Sequence, residues 1–194
     1  MKTRVVLTAA TIALVALSAC GSDGDAGDSG DTGGSSEATV AATDTDTDTD
    51  IDVLSGAVIC ERLSVDSVAA DTGLDVTRAV PDDSGTPQCA YEYNNDTGAV
   101  SNLTVASMQP ADMGGLTGSE AYDFVVEINE TVAGDGAESQ EVSAGDAAIR
   151  ISGSGVQLGV LQVGDQLLTL IIPGADVAPD AVDQLIATMA TTLG

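Results

Sequence analysis

The sequence predicts an α+β fold, a single twisted antiparallel sheet with helices packed on one face. Segments with helical and strand periodicity follow one another along residues 57–194 in the order helix, strands, helix, strands, helix. The strands are joined by short turns, which pair only antiparallel neighbours. Hydrophobic residues make up 43% of the chain, but it holds one Phe and no Trp. These observations indicate one domain with a small aliphatic core.

The first predicted helix covers Val65 to Thr72. Ser64 can cap its N-terminus, Asp66 lies in its first turn, and Gly73 is a suitable terminating residue. Turn residues follow at positions 81–85, where Pro, Asp, Ser and Gly cluster.

Two strands are predicted next, at residues 88–93 and 99–108, joined by a turn at residues 94–98. Alternation in the second of these strands places Leu103, Val105 and Ser107 on one face.

A second helix begins after a glycine-rich break, with Ser119 as its predicted N-cap. Its apolar residues recur at helical spacing and form the expected buried stripe, Ala121, Phe124, Val125, Ile128 and Val132. We interpret Phe124 as the core anchor of this helix rather than as a ligand-binding aromatic side chain.

The last part of the chain is predicted to be a meander and a closing helix. The expected strands are residues 138–142, 147–152, 156–163 and 166–172. The helix covers residues 179–191, with Pro179 in its first turn. Its predicted buried stripe is Val182, Leu185, Ile186 and Met189.

The front of the chain has the layout of an export signal. Lys2 and Arg4 precede an apolar run at residues 5–17, which is shorter than the roughly 20 residues that span a bilayer. The run ends in Leu17-Ser18-Ala19-Cys20, which resembles the lipobox of bacterial lipoproteins. An ordinary signal peptide with a chance cysteine is the alternative.

The lipobox resemblance implies that Cys20 is lipidated and becomes the mature N-terminus. We therefore divide the chain into a lipoprotein signal peptide (residues 1–19), a lipidated cysteine with a disordered acidic tether (residues 20–56) and a folded domain (residues 57–194). Two or more acyl chains make membrane anchoring stable. The expected location is the extracytoplasmic face of the cell membrane.

The tether has the composition of a disordered segment. Residues 21–52 hold ten acids and no base, with Gly, Ser, Thr and Ala between them. The Thr-Asp repeat at residues 43–50 spaces carboxylates as a calcium loop does, but it lacks the glycine turn and the later bidentate acid. Diffuse cation binding is therefore expected here, and no metal site.

Strong negative charge excludes one class of partner. After removal of residues 1–19, three arginines face 31 acids, a net charge of −28. Such a surface repels phosphate backbones, so we expect no nucleic-acid partner. It favours cations and basic partners, although adaptation to salt would produce the same composition.

Cys60 and Cys89 remain once Cys20 is assigned to lipid. An even pair in an exported protein predicts a disulfide. Cys60 would lie just before the first helix and Cys89 in the first strand, so the bridge would join helix to sheet. Two buried free thiols are the alternative.

The residue types needed for common active sites are missing. The chain has no His, and the mature part has no Lys, which excludes Ser-His-Asp and Cys-His arrangements, the common zinc sites and a P-loop. Acids are abundant, and for that reason no pair stands out. The sequence predicts no catalytic residue, no metal site and no cofactor.

Two short motifs resemble a known family. Cys60-Glu61-Arg62-Leu63, followed by a helix ending at Gly73 and then Gln88-Cys89-Ala90-Tyr91, is similar to the opening of DUF3558-type actinobacterial lipoproteins. Residues 142–148 resemble their Gly-Asp-Ala element. The chain lacks their Trp after the second cysteine and has Tyr91 nearby instead. The resemblance implies an exported, membrane-anchored domain of undefined activity.

The sequence therefore predicts a non-catalytic, lipid-anchored domain that binds a partner protein or small ligand in the cell envelope. One alternative is a carboxylate-dependent hydrolase of cell-wall glycans, which needs two acids in a cleft. Another is a structural spacer that binds cations diffusely.

Overall fold

The computed structural model describes residues 53–109, 112–153, 155–174 and 177–194. Its helices are α1 (Gly56–Arg62), α2 (Val65–Thr72), α3 (Gly118–Ala133) and α4 (Pro179–Leu193). Its strands are β1 (Asp75–Asp82), β2 (Gln88–Asn94), β3 (Val100–Ser107), β4 (Glu138–Glu141), β5 (Ala147–Gly153), β6 (Val156–Val163) and β7 (Gln166–Pro173). The predicted signal peptide, Cys20 and the tether as far as residue 52 lie outside the described residues.

The strands form one antiparallel sheet in the order β1-β2-β3-β7-β6-β5-β4. Two meanders, β1 to β3 and β4 to β7, meet at the β3–β7 pair, and α3 connects them along the chain. The predicted α+β class and the single antiparallel sheet are confirmed.

Local sequence signals place several elements where they were expected. Helix α2 has the predicted bounds: the Ser67 N–H donates to Ser64 Oγ (3.2 Å), and Gly73 ends the helix with φ 72°. A positive φ at this position favours glycine because a Cβ would be strained there. The predicted stripe of α4 is buried, and so are Leu103, Val105 and Ser107 in β3.

Two elements were missed, and both lie at the start of the domain. Helix α1 begins at Gly56, where a Cβ would collide with the carbonyl oxygen of Gln88. Leu54 is also buried, so the fold takes in residues that precede the predicted start at 57. Strand β1 includes Pro81 and Asp82, which were assigned to a turn. Because it is an exposed edge strand with charged residues, it lacks the alternation that marks half-buried strands.

The sequence analysis expected all helices to pack on one face of the sheet, and the structure places them on both faces. Residues directly opposite on antiparallel strands share a face, and the pairs Leu161–Leu168 and Gly159–Leu170 lie beneath α4. The pair Leu158–Ile151 lies on the other face, in the core cluster of α3. Thus α1, α2 and α4 cover one face, and α3 covers part of the other.

The reason lies in the central strands, which are apolar on both faces. Five consecutive residues are buried in each strand, 157–161 in β6 and 166–170 in β7. A sheet segment with two apolar faces needs cover on both sides. Alternation alone could not reveal this, because a continuous apolar run has no polar residues to identify which side of the strand faces solvent.

The buried stripe of α3 was also predicted incorrectly. The residues that face the sheet are Ala121, Val125, Asn129 and Ala133. Ile128 and Val132 are 43% and 62% exposed, and Phe124 is only half-buried against the cluster beneath α3. The helix begins at Gly118 with Thr117 as N-cap, not Ser119. Two adjacent apolar stripes occur on this helix, and periodicity cannot tell which one meets the sheet.

Candidate functional site

The two domain cysteines are joined as predicted. A disulfide links Cys60 and Cys89, with Cα atoms 5.4 Å apart and a sequence separation of 29. Cys60 lies within α1 rather than before the first helix, and Cys89 lies in β2. The bridge therefore attaches the N-terminal helix to the sheet. Cys20, the predicted lipidation site, lies outside the described residues.

All three arginines of residues 57–194 have partners within the domain. The Arg78 guanidinium donates to both carboxylate oxygens of Glu92 (2.6 Å each). Its hydrogen bond and charge lower the pKa of Glu92 below its usual value. Arg150 donates to Asp183 Oδ1 (2.8 Å), and Arg62 donates to the Leu193 carbonyl oxygen (3.5 Å). The domain surface is therefore dominated by its 21 acids.

One hollow brings two acids together. It has a volume of about 310 Å³ and is bordered by Tyr122 of α3, by Glu141 and by Asp146. Burial raises the pKa of the Tyr122 phenol, and the charges of Asp123 and Glu141 raise it further. Asp146 Oδ2 accepts a hydrogen bond from the Gly164 N–H (2.6 Å), which holds this carboxylate in the adjoining turn.

Two smaller hollows lie at helix N-termini. The one at the start of α3, lined by Thr117, Gln162 and Leu167 among others, is about 100 Å³. The one at the start of α4, about 250 Å³, is lined by three glycines, Gln157 and Val177 among others. Within the described ranges, no group of three or more Cys, Asp or Glu side chains could hold a metal ion.

An exposed region lies on the face of the sheet that carries α3, and we call it the trough. It includes the row Val80, Ala90, Thr104 and Ile171, on β1, β2, β3 and β7. The polar residues Arg78, Glu92 and Asn102 lie two positions along the strands on the same face. Register places the four residues of the row on one face: Val80 opposes Ala90, Ala90 opposes Thr104, and Thr104 opposes Ile171.

Exposure of its apolar side chains distinguishes the trough. Val80 is 37% and Ile171 39% exposed, and Ile128 on α3 is 43% exposed. Ile171 lies on β7 between β3 and β6, and antiparallel sheets often leave one face in solvent. Met108 Sδ accepts a hydrogen bond from the Thr169 hydroxyl (3.8 Å). The sequence analysis missed this site because its limits depend on where α3 stops covering the sheet.

Comparison with family models, curated proteins and solved structures returns no match. In the part of the chain that the structure describes, no helix is both long enough and apolar enough to span a membrane. These features define the class of molecule, an acidic, disulfide-bonded α+β domain whose sheet is covered by helices only in part on the α3 face.

Proposed function

We propose that this chain is a lipid-anchored extracytoplasmic lipoprotein whose folded domain binds a partner without catalysing a reaction. The lipobox-like end at Cys20 supports the anchor, and the Cys60–Cys89 disulfide agrees with an oxidising compartment. The observation that carries the binding role is the exposure of Val80 and Ile171 in the trough and of Ile128 on α3, since exposed apolar side chains can contribute to interaction sites. The resemblance to DUF3558-type lipoproteins supports an exported, membrane-anchored domain and implies no defined activity.

A partner protein fits the domain better than a small ligand does. Drug-sized ligands occupy pockets of roughly 300–1,000 Å³ that are mainly apolar. The hollows at the starts of α3 and α4, about 100 and 250 Å³, fall below that range. The hollow of about 310 Å³ is bordered by two carboxylates. The exposed side chains of Val80, Ile171 and Ile128 line none of these three hollows.

Replacement of the lipidation residue tests the anchor. Cys20→Ser should prevent lipid attachment and move the protein from the membrane fraction to the soluble exported fraction. Cell fractionation and detergent partition measure this, with Ser22→Ala as a control that should stay with the membrane. If Cys20→Ser protein still partitions into detergent, the lipobox interpretation is wrong.

A carboxylate-dependent hydrolase of wall glycans is the second candidate, since Glu141 and Asp146 border the same hollow. Both residues are exposed, whereas a general acid at neutral pH needs a desolvated carboxyl. Robust turnover of wall glycan by the purified protein, abolished by Glu141→Gln, would favour this candidate over the binding role. A structural spacer that binds cations diffusely is the third candidate function, and it requires no partner binding at the trough.

A further inference from the structure

The start of the domain is fastened to one end of the sheet. The Leu54 N–H donates to Ser107 Oγ (3.0 Å) at the end of β3, and the Gly56 N–H donates to Asp83 Oδ1 (2.6 Å) just past the end of β1. Because β2 is antiparallel to β1 and β3, it begins at this same end. We call this end the entry end of the sheet, and the opposite one the far end.

A covalent link to an inner strand follows a few residues later. Cys60 of α1 is bonded to Cys89, the second residue of β2. Strand β2 lies between β1 and β3, and seven residue pairs join it to each of them. The shortest covalent path from the start of the domain into the sheet therefore crosses the disulfide, enters β2 and bypasses residues 61–88.

Without the bridge, tension on the N-terminal side of the domain would reach the sheet at its edge. The path would run through α1 and α2 into β1, an edge strand that starts at the far end, where Asp75 pairs with Asn94. A pull towards the entry end would fold β1 back and break its pairs with β2 one after another. Sequential breakage needs little force, because each hydrogen bond contributes only about 1 kcal/mol net.

With the bridge, the same tension acts lengthwise on β2. This strand runs from Gln88 at the entry end to Asn94 at the far end, so a pull on Cys89 towards the entry end slides it between β1 and β3. Sliding loads both ladders at once, and their pairs must break together. A slip of one residue would also move the buried side chains of Tyr91 and Tyr93 to the opposite face of the sheet.

We propose that the Cys60–Cys89 disulfide is a mechanical clamp, which transfers tension from the membrane anchor into β2 and so keeps the domain folded. This inference rests on the proposed anchoring at Cys20, because a domain that is held at a membrane and bound to a partner is stretched whenever the two move apart. The role is distinct from the contribution of the bridge to the free energy of unfolding, since it depends on where the force enters the domain.

Optical tweezers provide the direct test. Residues 20–194 are produced without lipid and with the disulfide formed, and are held through Cys20 and through Pro173→Cys, an exposed site at the far end of β7. The lifetime of the folded state at constant force reports the unfolding rate. It should be at least about tenfold longer than in the same chain carrying Cys60→Ser/Cys89→Ala. The bridge is verified in each molecule, because it hides 29 residues, about 100 Å of extended chain.

A second pulling geometry separates the force path from overall stability. Handles at Glu120→Cys and Pro173→Cys, in a Cys20→Ser chain, apply force without loading the bridge. Glu120 is exposed in the first turn of α3, next to a hollow lined by Gln162 and Gln166 at the entry end. In this geometry, Cys60→Ser/Cys89→Ala should shorten the lifetime far less than it does when force enters through Cys20.

Two outcomes would overturn the proposal. They are an unchanged lifetime without the bridge when force enters through Cys20, and equal shortening in both geometries, which would show that the bridge only stabilises the fold. If the double variant does not fold, reductant added to the folded native chain held at low force removes the bridge instead. The Cys20→Ser fractionation tests the anchor separately, so failure of the clamp and failure of the anchor are distinguishable.

Discussion

The disulfide between Cys60 and Cys89 attaches α1 to the sheet, and its loss is the first residue-scale prediction. Closing a loop of this length stabilises a domain by about 3.5 kcal/mol on the chain-entropy estimate. Cys60→Ser should therefore lower the free energy of unfolding by about that amount, measured by urea unfolding. The double variant Cys60→Ser/Cys89→Ala should not respond to reductant. An unchanged unfolding midpoint of the native protein in reductant would show that the bridge contributes nothing.

Tyr91 makes stability depend on alkaline pH. Its hydroxyl donates to the Leu63 carbonyl oxygen (2.7 Å), and burial raises the pKa of the phenol above its ordinary value. In the unfolded chain the phenol loses its proton at about pH 10, whereas the folded state keeps this proton to a higher pH. The contribution of Tyr91 to the free energy of unfolding is thus fully present below about pH 10, and it is lost as pH rises towards the pKa of the folded state.

In Tyr91→Phe, the free energy of unfolding should fall less steeply as pH rises into the alkaline range. At neutral pH the variant should lose about 1 kcal/mol of this free energy because the hydrogen bond is missing. Urea midpoints measured from about pH 8 to about pH 11 check both effects. Tyr122→Phe, at a half-buried site, should change them less. An alkaline transition identical in Tyr91→Phe and the native protein would contradict the role of Tyr91.

At the scale of elements, α3 is the helix whose orientation matters most, because it covers β5 and β6 and leaves Ile128 exposed. Val125 is 1% and Ile128 43% exposed on this helix. Val125→Ala should lower the free energy of unfolding by about 2 kcal/mol. Ile128→Ala should change it by less than about 0.5 kcal/mol. Thermal and urea unfolding of both variants measure the contrast, and equal losses would mean that Ile128 is buried.

At the scale of the whole molecule, the domain carries unbalanced negative charge. Residues 57–194 hold three arginines and 21 acids, a net charge of −18. Self-repulsion destabilises the compact state, and added ions screen it. Because two of the three arginines are already paired with acids and surface ion pairs contribute little, screening should dominate.

The melting temperature should therefore rise between low and near-molar sodium chloride, with divalent cations acting at lower concentration and without a single saturable site. Differential scanning calorimetry across a salt series, together with calcium titration calorimetry, measures both effects. A sharp one-to-one calcium isotherm would contradict diffuse binding, and salt-independent melting would show that repulsion is negligible.

Sequence signals that act over a few residues determined much of the fold. Ser64 and Gly73 bound α2 as predicted, and short turns such as Gly164-Asp165 place β6 and β7 side by side. These features depend on backbone capping and turn geometry, which neighbouring residues control. The cysteine count, together with the predicted export signal, likewise sufficed to predict the disulfide.

Other features were decided only by the tertiary structure. The sequence could not place α3 on the opposite face from the other helices, because β6 and β7 are apolar on both sides and give no polar face as a reference. It also could not show whether the α3 stripe that contains Val125 or the one that contains Ile128 faces the sheet. The trough likewise depends on strand pairing, since it brings together residues as distant in sequence as Val80 and Ile171. Exposure depends on which surfaces meet, and only packing of the whole chain determines that.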